Sequence, residues 1–171
     1  MNLSGLLPLI QDVPAYRRLV DAIESGIPAE DLNPERGLGV IAAARPYLAA
    51  ALYRQLRRPL ILLTARAERV MQWAEQLRVW TDSRSIYAFP EPDALPYERV
   101  PWARETICDR LAALTALVTW KETDGTEPPV VVASARAVMH KTLPLREFRI
   151  GLREYRQGQP IDLQRALEVW V

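Results

Sequence analysis

Residues 41–46, I-A-A-A-R-P, lie between a short apolar run and a helix-like stretch, which is the setting of a loop that binds nucleotide phosphates. Such a loop needs glycines that let backbone N–H groups converge on phosphate oxygens, a Lys for the β- and γ-phosphates, and a Ser or Thr hydroxyl for the metal. The positions that would form it hold Ala42, Ala43, Ala44, Arg45 and Pro46. The alanines carry Cβ atoms into the phosphate space, and the proline supplies neither hydroxyl nor N–H. Although the arginine could attract an anion at a helix N-terminus, the residue types predict a structural turn and no bound cofactor.

Other reactive side chains are scattered. Glu91, Asp93 and Glu98 stand in a proline-rich loop with no His, metal-ligand partner or nucleophile close in sequence, so they are expected to be loop caps or solvated charges. His140 is expected at the surface or at a helix cap. Cys108 is expected to be a small buried or half-buried residue rather than a reactive thiol. We therefore predict no catalytic site and no metal site, and interpret the chain as a non-enzyme.

Composition limits the classes further. The chain has 171 residues, 49% hydrophobic and 25% charged, which is enough to bury a core. Its 22 basic against 21 acidic residues give a net charge of +1, without the basic excess of a dedicated nucleic-acid domain. One Cys and one His exclude a disulfide framework. The first residues lack a signal-peptide pattern, and no apolar run approaches the ~20 residues of a membrane span. We expect a cytoplasmic protein without a membrane partner.

Alternating strand and helix patterns predict an α/β fold with a doubly wound, mostly parallel sheet. The four predicted strands are G-L-G-V-I-A (37–42), P-L-I-L-L-T (59–64), S-I-Y-A-F (85–89) and P-V-V-V-A-S (129–134). Thr64 and Ser134 are expected to cap the helices that follow them, and Arg57 and Arg58 suit the negative end of a helix. Three helices are expected to bury apolar stripes, namely Leu48, Leu52 and Leu56; Val70, Trp73, Leu77 and Trp80; and Ile107, Leu111, Leu114 and Val118.

The pattern changes near residue 145. Phe148, Ile150 and Leu152 alternate with polar residues, which predicts a half-exposed strand, and Asp162 is expected to cap a helix after it. Because one strand and one helix do not make a domain, we interpret this region as the beginning of an α+β domain that is cut short. The predicted organisation is a helical lead-in at 1–35, the α/β domain at 36–144, and the start of the second domain at 145–171.

One long segment resembles a known family. F-P-E-P-D-A-L-P-Y-E-R-V-P-W-A-R-E-T-I-C-D-R-L-A-A-L is similar to a segment of the bacterial transcription-repair coupling factor, in which an acidic and aromatic element precedes a helix with R-L-x-x-L. The matching positions of that element are Leu95, Pro96, Tyr97 and Glu98, whereas Pro92 and Asp93 depart from its first part. V-V-V-A-S-A-R-A-V-M-H-K-T-L-P is similar to the strand and helix that follow in the coupling factor and in the excinuclease protein UvrB. The resemblance covers about residues 37–171.

The resemblance implies a degenerate fold of the phosphate-loop NTPase type, like the head of UvrB with its phosphate loop decayed. In that family the full-length protein is an ATP-driven DNA translocase that releases stalled RNA polymerase and recruits the excinuclease protein UvrA. ATP, magnesium, RNA polymerase and DNA are then expected only at downstream domains. UvrA is expected to need the complete second domain; if residues 1–171 bound it equally well, Arg153, Arg156 or Arg165 would be the contacts to consider.

Two alternatives stay open. One is an ATP-dependent, damage-binding protein like UvrB, disfavoured because only E-R-V-P-W-A-R-E separates Tyr97 from the long helix, which leaves no room for a DNA-clamping hairpin. The other is a small-molecule α/β enzyme or regulator that uses the carboxyl edge of the sheet.

Overall fold

A computed structural model describes most of the chain. The described residues are 2–26, 39–81, 83–93, 101–121, 125–155 and 157–164. The chain divides into two compact units, Met1–Lys141 and Thr142–Val171. The division predicted between residues 35 and 36 lies outside the described residues.

The first unit alternates helices and strands. Its α-helices are α1 (Pro14–Glu24), α2 (Arg45–Leu56), α3 (Glu68–Arg78), α4 (Arg104–Thr119) and α5 (Ala135–Met139). Its strands are β1 (Leu60–Thr64), β2 (Ile86–Phe89) and β3 (Val130–Ser134). Short 3-10 helices cover Ser4–Asp12, Ala42–Ala44 and Ser83–Ser85. The predicted α/β class is therefore observed in the part of the chain that the structure describes.

The three strands form one parallel sheet in the order β1-β3-β2. Leu60 and Ile86 both align with Val130, so β3 lies between the other two strands. All five residues of β3 are buried, as expected for a central strand with helices on both faces. The long apolar run at 130–133 is thus explained by its position in the middle of the sheet.

Alternate residues of the strands feed two separate cores. Val130 and Val132 of β3 pack with α1, α2 and α3 on one face, where the buried side chains include Ala50, Ala74 and Leu77. The opposite face is smaller, with Phe89, Val131, Ala133, Ala113 and Ala137 packed between the sheet and helices α4 and α5. On this second face the described residues leave the edge strand β1 uncovered, and Ile61 and Leu63 are 55% and 57% exposed.

Local signals explain where several helices begin. Pro14 and Pro46 occupy the first turns of α1 and α2, where the missing N–H costs nothing. Ser134 caps α5 as predicted, since its side chain accepts a hydrogen bond from the Ala137 N–H. Thr64 does not cap α3, because its hydroxyl donates to the Arg66 carbonyl and the residue before the helix is Ala67. Three more residues separate β1 from α3 than the cap prediction assumed.

The first predicted strand, at residues 37–42, is wrong over the residues that the structure describes. Gly39, Val40 and Ile41 belong to no strand, and Ala42–Ala44 form a 3-10 turn that leads into α2. The apolar residues Val40 and Ile41 suggested a strand, but Ile41 is 74% exposed and pairs with no strand among the described residues. The sheet formed by the described residues therefore has three strands rather than four.

The predicted inward face of α4 is also wrong. The error lies in the first half of the helix, where Ile107 and Leu111 are 41% and 47% exposed, whereas Thr106, Arg110 and Ala113 are buried. The predicted residues Leu114 and Val118 are half-buried, and Leu114 packs against the second core. The helix is rotated by about one residue, or roughly 100°, because small Ala113 lets it approach the sheet and Arg110 finds partners there. On α2, similarly, Ala50, Ala51 and Tyr53 are buried and the predicted stripe at Leu48, Leu52 and Leu56 is half-buried.

The second unit contains a helix where the sequence pattern predicts a strand. Leu145–Gly151 form helix α6, with Phe148 buried and Ile150 60% exposed. The alternation of apolar and polar residues over 148–152 was too short to exclude a helix, and Pro144 immediately before it starts a helical turn. Leu163 and Gln164 are helical, as expected after Asp162. Residues 165–171 lie outside the described part of the chain.

Candidate functional site

The alanine-rich turn before α2 was the predicted phosphate-loop position. Pro46 is buried in the first turn of the helix, and Ala42 and Ala43 are exposed. Arg45 folds back, with its Nε donating to the Val40 carbonyl at 3.4 Å. No strand precedes the turn among residues 39–41. The turn thus lacks the strand that would aim its backbone at a phosphate.

The carboxyl edge of the sheet is the place where α/β proteins usually bind ligands. At the end of β3, Ser134 is fully buried and its hydroxyl donates to a Glu91 carboxylate oxygen at 2.5 Å. The same hydroxyl accepts the Ala137 N–H at 3.0 Å. Arg136 Nε lies 3.8 Å from the other Glu91 oxygen. Glu91 is therefore a structural link between the end of β2 and the start of α5.

The second carboxylate of the predicted cluster, Asp93, caps α4. One of its oxygens accepts the Ala103 N–H at 2.8 Å, and the other accepts the Thr106 hydroxyl at 2.9 Å. A carboxylate at this position also complements the positive end of the helix dipole. Both Glu91 and Asp93 lie near the carboxyl edge, and each is engaged with its own partners.

Arg110 completes this edge. Its guanidinium donates to the Pro90 carbonyl at 2.7 Å, and its central carbon lies 3.9 Å from the centre of the Phe89 ring and 5.5 Å from that of Trp102. Burial lowers the pKa of this guanidinium below its usual range. The side chain is a structural anchor for the start of α4. Among the described residues, the polar groups at the carboxyl edge satisfy one another.

The other predicted positions give no site. Leu95, Pro96, Tyr97 and Glu98 lie outside the described residues. His140 is half-buried just after α5. Cys108 is exposed on α4, contrary to the expectation that it would be buried or half-buried, because the helix is rotated. Within the described ranges, His, Cys, Asp and Glu residues form no group of three that could hold a metal ion.

The opposite edge of the sheet contains a cavity that the sequence did not suggest. We call it the basal pocket; its volume is about 530 Å³, within the usual range for small-molecule sites. The 3-10 helix at 4–12, the ends of α2, α3 and α4, and the loop before β3 supply its walls. The aromatic and charged side chains that line it are Tyr53, Arg54, Arg57, Trp80, Trp120 and Glu127.

Hydrogen bonds fix most of the polar groups of the basal pocket. The Tyr53 hydroxyl donates to the Pro128 carbonyl at 2.7 Å and lies 3.3 Å from a Glu127 oxygen. The Ser85 hydroxyl donates to the same carboxylate oxygen at 3.2 Å. Arg54 donates to the Ser4 carbonyl at 2.8 Å, which ties the N-terminal segment to α2. These contacts join four segments of the chain and hold the walls of the pocket in place.

Arg57 is the exception. It ends α2 with φ 48° and ψ 40°, the left-handed conformation, and it is the one residue other than glycine with positive φ among the described positions. Glycine is the usual residue there because a Cβ is disfavoured by roughly 1 kcal/mol. The sequence analysis predicted a basic helix end at Arg57 and Arg58 but not the left-handed conformation. The available signal was that this apolar helix ends in two arginines with no glycine.

Comparison with known proteins finds a relative for most of the chain. The chain is 28% identical over 153 residues to a transcription-repair-coupling factor of Myxococcus xanthus. The match covers 86% of this chain and 12% of that protein, so the chain spans about an eighth of its length. No family model matches the chain. No helix within the described ranges combines the length and apolar character required to cross a bilayer.

Proposed function

We propose that this chain acts in transcription-coupled DNA repair, as a non-catalytic N-terminal module of a transcription-repair coupling factor. The similarity to the Myxococcus protein over most of this chain carries the proposal. The module's role is to hold repair proteins and RNA polymerase in one assembly. We propose further that the region that begins near Leu145 recruits the excinuclease protein UvrA.

The non-catalytic part of the proposal rests on the chemistry of two places. The turn at Ala42–Ala44 has no glycine, lysine or hydroxyl, and Arg45 is bonded to the backbone before it. At the carboxyl edge, Glu91 and Asp93 are committed to Ser134 and to the start of α4. Among the residues that the structure describes, neither place offers a free base, nucleophile or phosphate cradle.

A chimera tests the repair function. Residues 1–171 would replace the matching segment of the Myxococcus coupling factor, with a deletion of that segment as the control. We expect the chimera, but not the deletion, to restore faster repair of the transcribed strand after ultraviolet damage. A chimera that releases stalled polymerase normally yet repairs no better than the deletion would contradict the proposal. Capture of purified UvrA by the chimera, but not by the deletion, tests the recruitment of UvrA.

Calorimetric titration with ATP and magnesium separates this proposal from an ATP-dependent, damage-binding protein. We expect no magnesium-dependent binding in the micromolar range, and no rescue by Arg45→Lys, because the alanines and Pro46 remain. We also expect weak DNA binding at physiological salt, since a net charge of +1 releases few counterions. Tight, magnesium-dependent ATP binding would favour the alternative.

A further inference from the structure

The basal pocket combines a costly backbone conformation with a cation that has no partner in the described part of the chain. The Arg57 guanidinium makes no hydrogen bond or ion pair with any of the residues that the structure describes, and the side chain is exposed at the pocket wall. A glycine would relieve the left-handed backbone at this position. Since no contact within the described protein explains an arginine here, the guanidinium is available to a ligand.

Flat aromatic side chains line the same pocket as this cation. Trp80 and Trp120 are half-buried and line the same pocket. The Trp80 ring is held by an edge contact with Tyr47, with ring centres 5.0 Å apart. The Trp120 Nε1 donates to the Thr126 carbonyl at 3.4 Å. Two indoles held in place in a cavity of this size offer a surface for another flat group.

The sign of the ligand's charge follows from the side chains at the wall. Among the wall residues that the structure describes, Arg54 and Arg57 give two positive charges and Glu127 gives one negative charge. The Glu127 carboxylate accepts the Ser85 hydroxyl and contacts that of Tyr53, so it is already engaged. Arg54 uses one N–H for the Ser4 carbonyl. The Arg57 guanidinium makes no hydrogen bond with a described residue, and its planar donors suit a carboxylate or a phosphate.

We infer that the basal pocket binds a ligand in which an anionic group is joined to an aromatic ring, with the anion on Arg57 and the ring against Trp80 and Trp120. Two sources present this chemistry: a free aromatic phosphate such as a nucleotide, and an acidic residue next to an aromatic one in a peptide.

The test uses the full 171-residue chain and NMR titration with simple probes. Phenyl phosphate carries both features, whereas inorganic phosphate and phenol carry one each. We expect phenyl phosphate to bind with a dissociation constant of about 1 mM or lower, and each of the other two to bind at least about tenfold more weakly. Adenosine monophosphate and the peptide acetyl-Gly-Asp-Phe-Gly-amide then distinguish the two sources. Inorganic phosphate binding as well as phenyl phosphate would overturn the inference.

Variants at one position separate binding from folding. Arg57→Ala removes the guanidinium and should weaken phenyl phosphate binding about tenfold or more. Arg57→Gly should weaken it equally while raising the melting temperature by roughly 1–4 °C, because the backbone strain is relieved. Arg58→Ala removes the same charge from the neighbouring exposed residue, which does not line the pocket, and should leave binding within about twofold.

Glu127→Gln checks the sign of the ligand's charge. Loss of the negative charge should tighten phenyl phosphate binding by about two- to fivefold, whereas a pocket built for a cation would bind its ligand more weakly. The inference fails if phenyl phosphate does not saturate the wild-type protein, if Arg58→Ala weakens binding as much as Arg57→Ala, or if Glu127→Gln weakens it.

Discussion

Replacing Ser134 by Ala removes a hydroxyl that serves two partners at once. The cap on α5 contributes about 1 kcal/mol. The hydrogen bond to the Glu91 carboxylate is charge-assisted and contributes about 1.5–3 kcal/mol. Because Glu91 keeps some access to water, we take the lower end of that range and expect Ser134→Ala to reduce the free energy of unfolding by about 2–3 kcal/mol. Urea unfolding followed by circular dichroism measures it; the midpoint should fall by roughly 1 M or more.

Two further variants make this reasoning refutable. Thr119→Ala removes an exposed hydroxyl that bonds only the Thr115 carbonyl among the described residues, and should change stability by less than about 0.5 kcal/mol. The double variant Ser134→Ala, Glu91→Gln should lose about 1 kcal/mol less stability than the sum of the two single losses. A loss below about 0.5 kcal/mol for Ser134→Ala, or strict additivity in the double variant, would show that the network at the carboxyl edge does not stabilise the fold.

Three other outcomes are expected from the same fold. Burial, helped by a neighbouring tyrosine, raises the pKa of Tyr16 above its usual 10.0, so the folded state keeps a proton that the unfolded chain loses; stability should fall as the pH rises past about 10, and Tyr16→Phe should flatten that fall in urea unfolding. Arg110→Ala should cost roughly 2–3 kcal/mol by chemical denaturation, whereas Arg104→Ala at the exposed start of α4 should cost less than about 0.5 kcal/mol. Ile107→Glu should be tolerated within about 1 kcal/mol, whereas Ala113→Leu should cost about 1–3 kcal/mol by overpacking, as thermal melts would reveal.

The sheet was predictable because its strands are continuous apolar runs. Residues 59–64, 85–89 and 129–134 predicted β1, β2 and β3 closely, and such runs are typical of parallel strands covered on both faces. The Ser134 cap was predictable from its position between a strand and a helix. These signals are local, so no knowledge of the partners was needed.

What failed depended on tertiary contacts. The orientation of α4 is set by Ala113, which permits close packing, and by Arg110, whose partners at the end of β2 are distant in sequence. A hydrophobicity scale treats Arg as polar and therefore predicts that the face of α4 with Arg110 is exposed. Leu145–Gly151 form a helix although the alternation of apolar and polar residues predicted a strand there. That alternation spans only a few positions, which is too short to distinguish the two structures. The basal pocket is made by five segments that converge only in the folded chain, and the strain at Arg57 is a backbone property without a sequence motif.

The central strand of the sheet is also the last of its three strands to be synthesised. Leu60 of β1 pairs with Val130 of β3, which lies 70 positions later in the chain, and β2 also pairs with β3. At about 5–20 residues per second, β1 emerges roughly 4–14 s before β3 can pair with it. Until then the apolar residues of β1 and β2 have no sheet to join, and both pairings form together when β3 arrives. The sheet formed by these strands can therefore pair on the ribosome only after β3 has emerged, and the apolar residues of β1 and β2 are exposed to other chains during that interval.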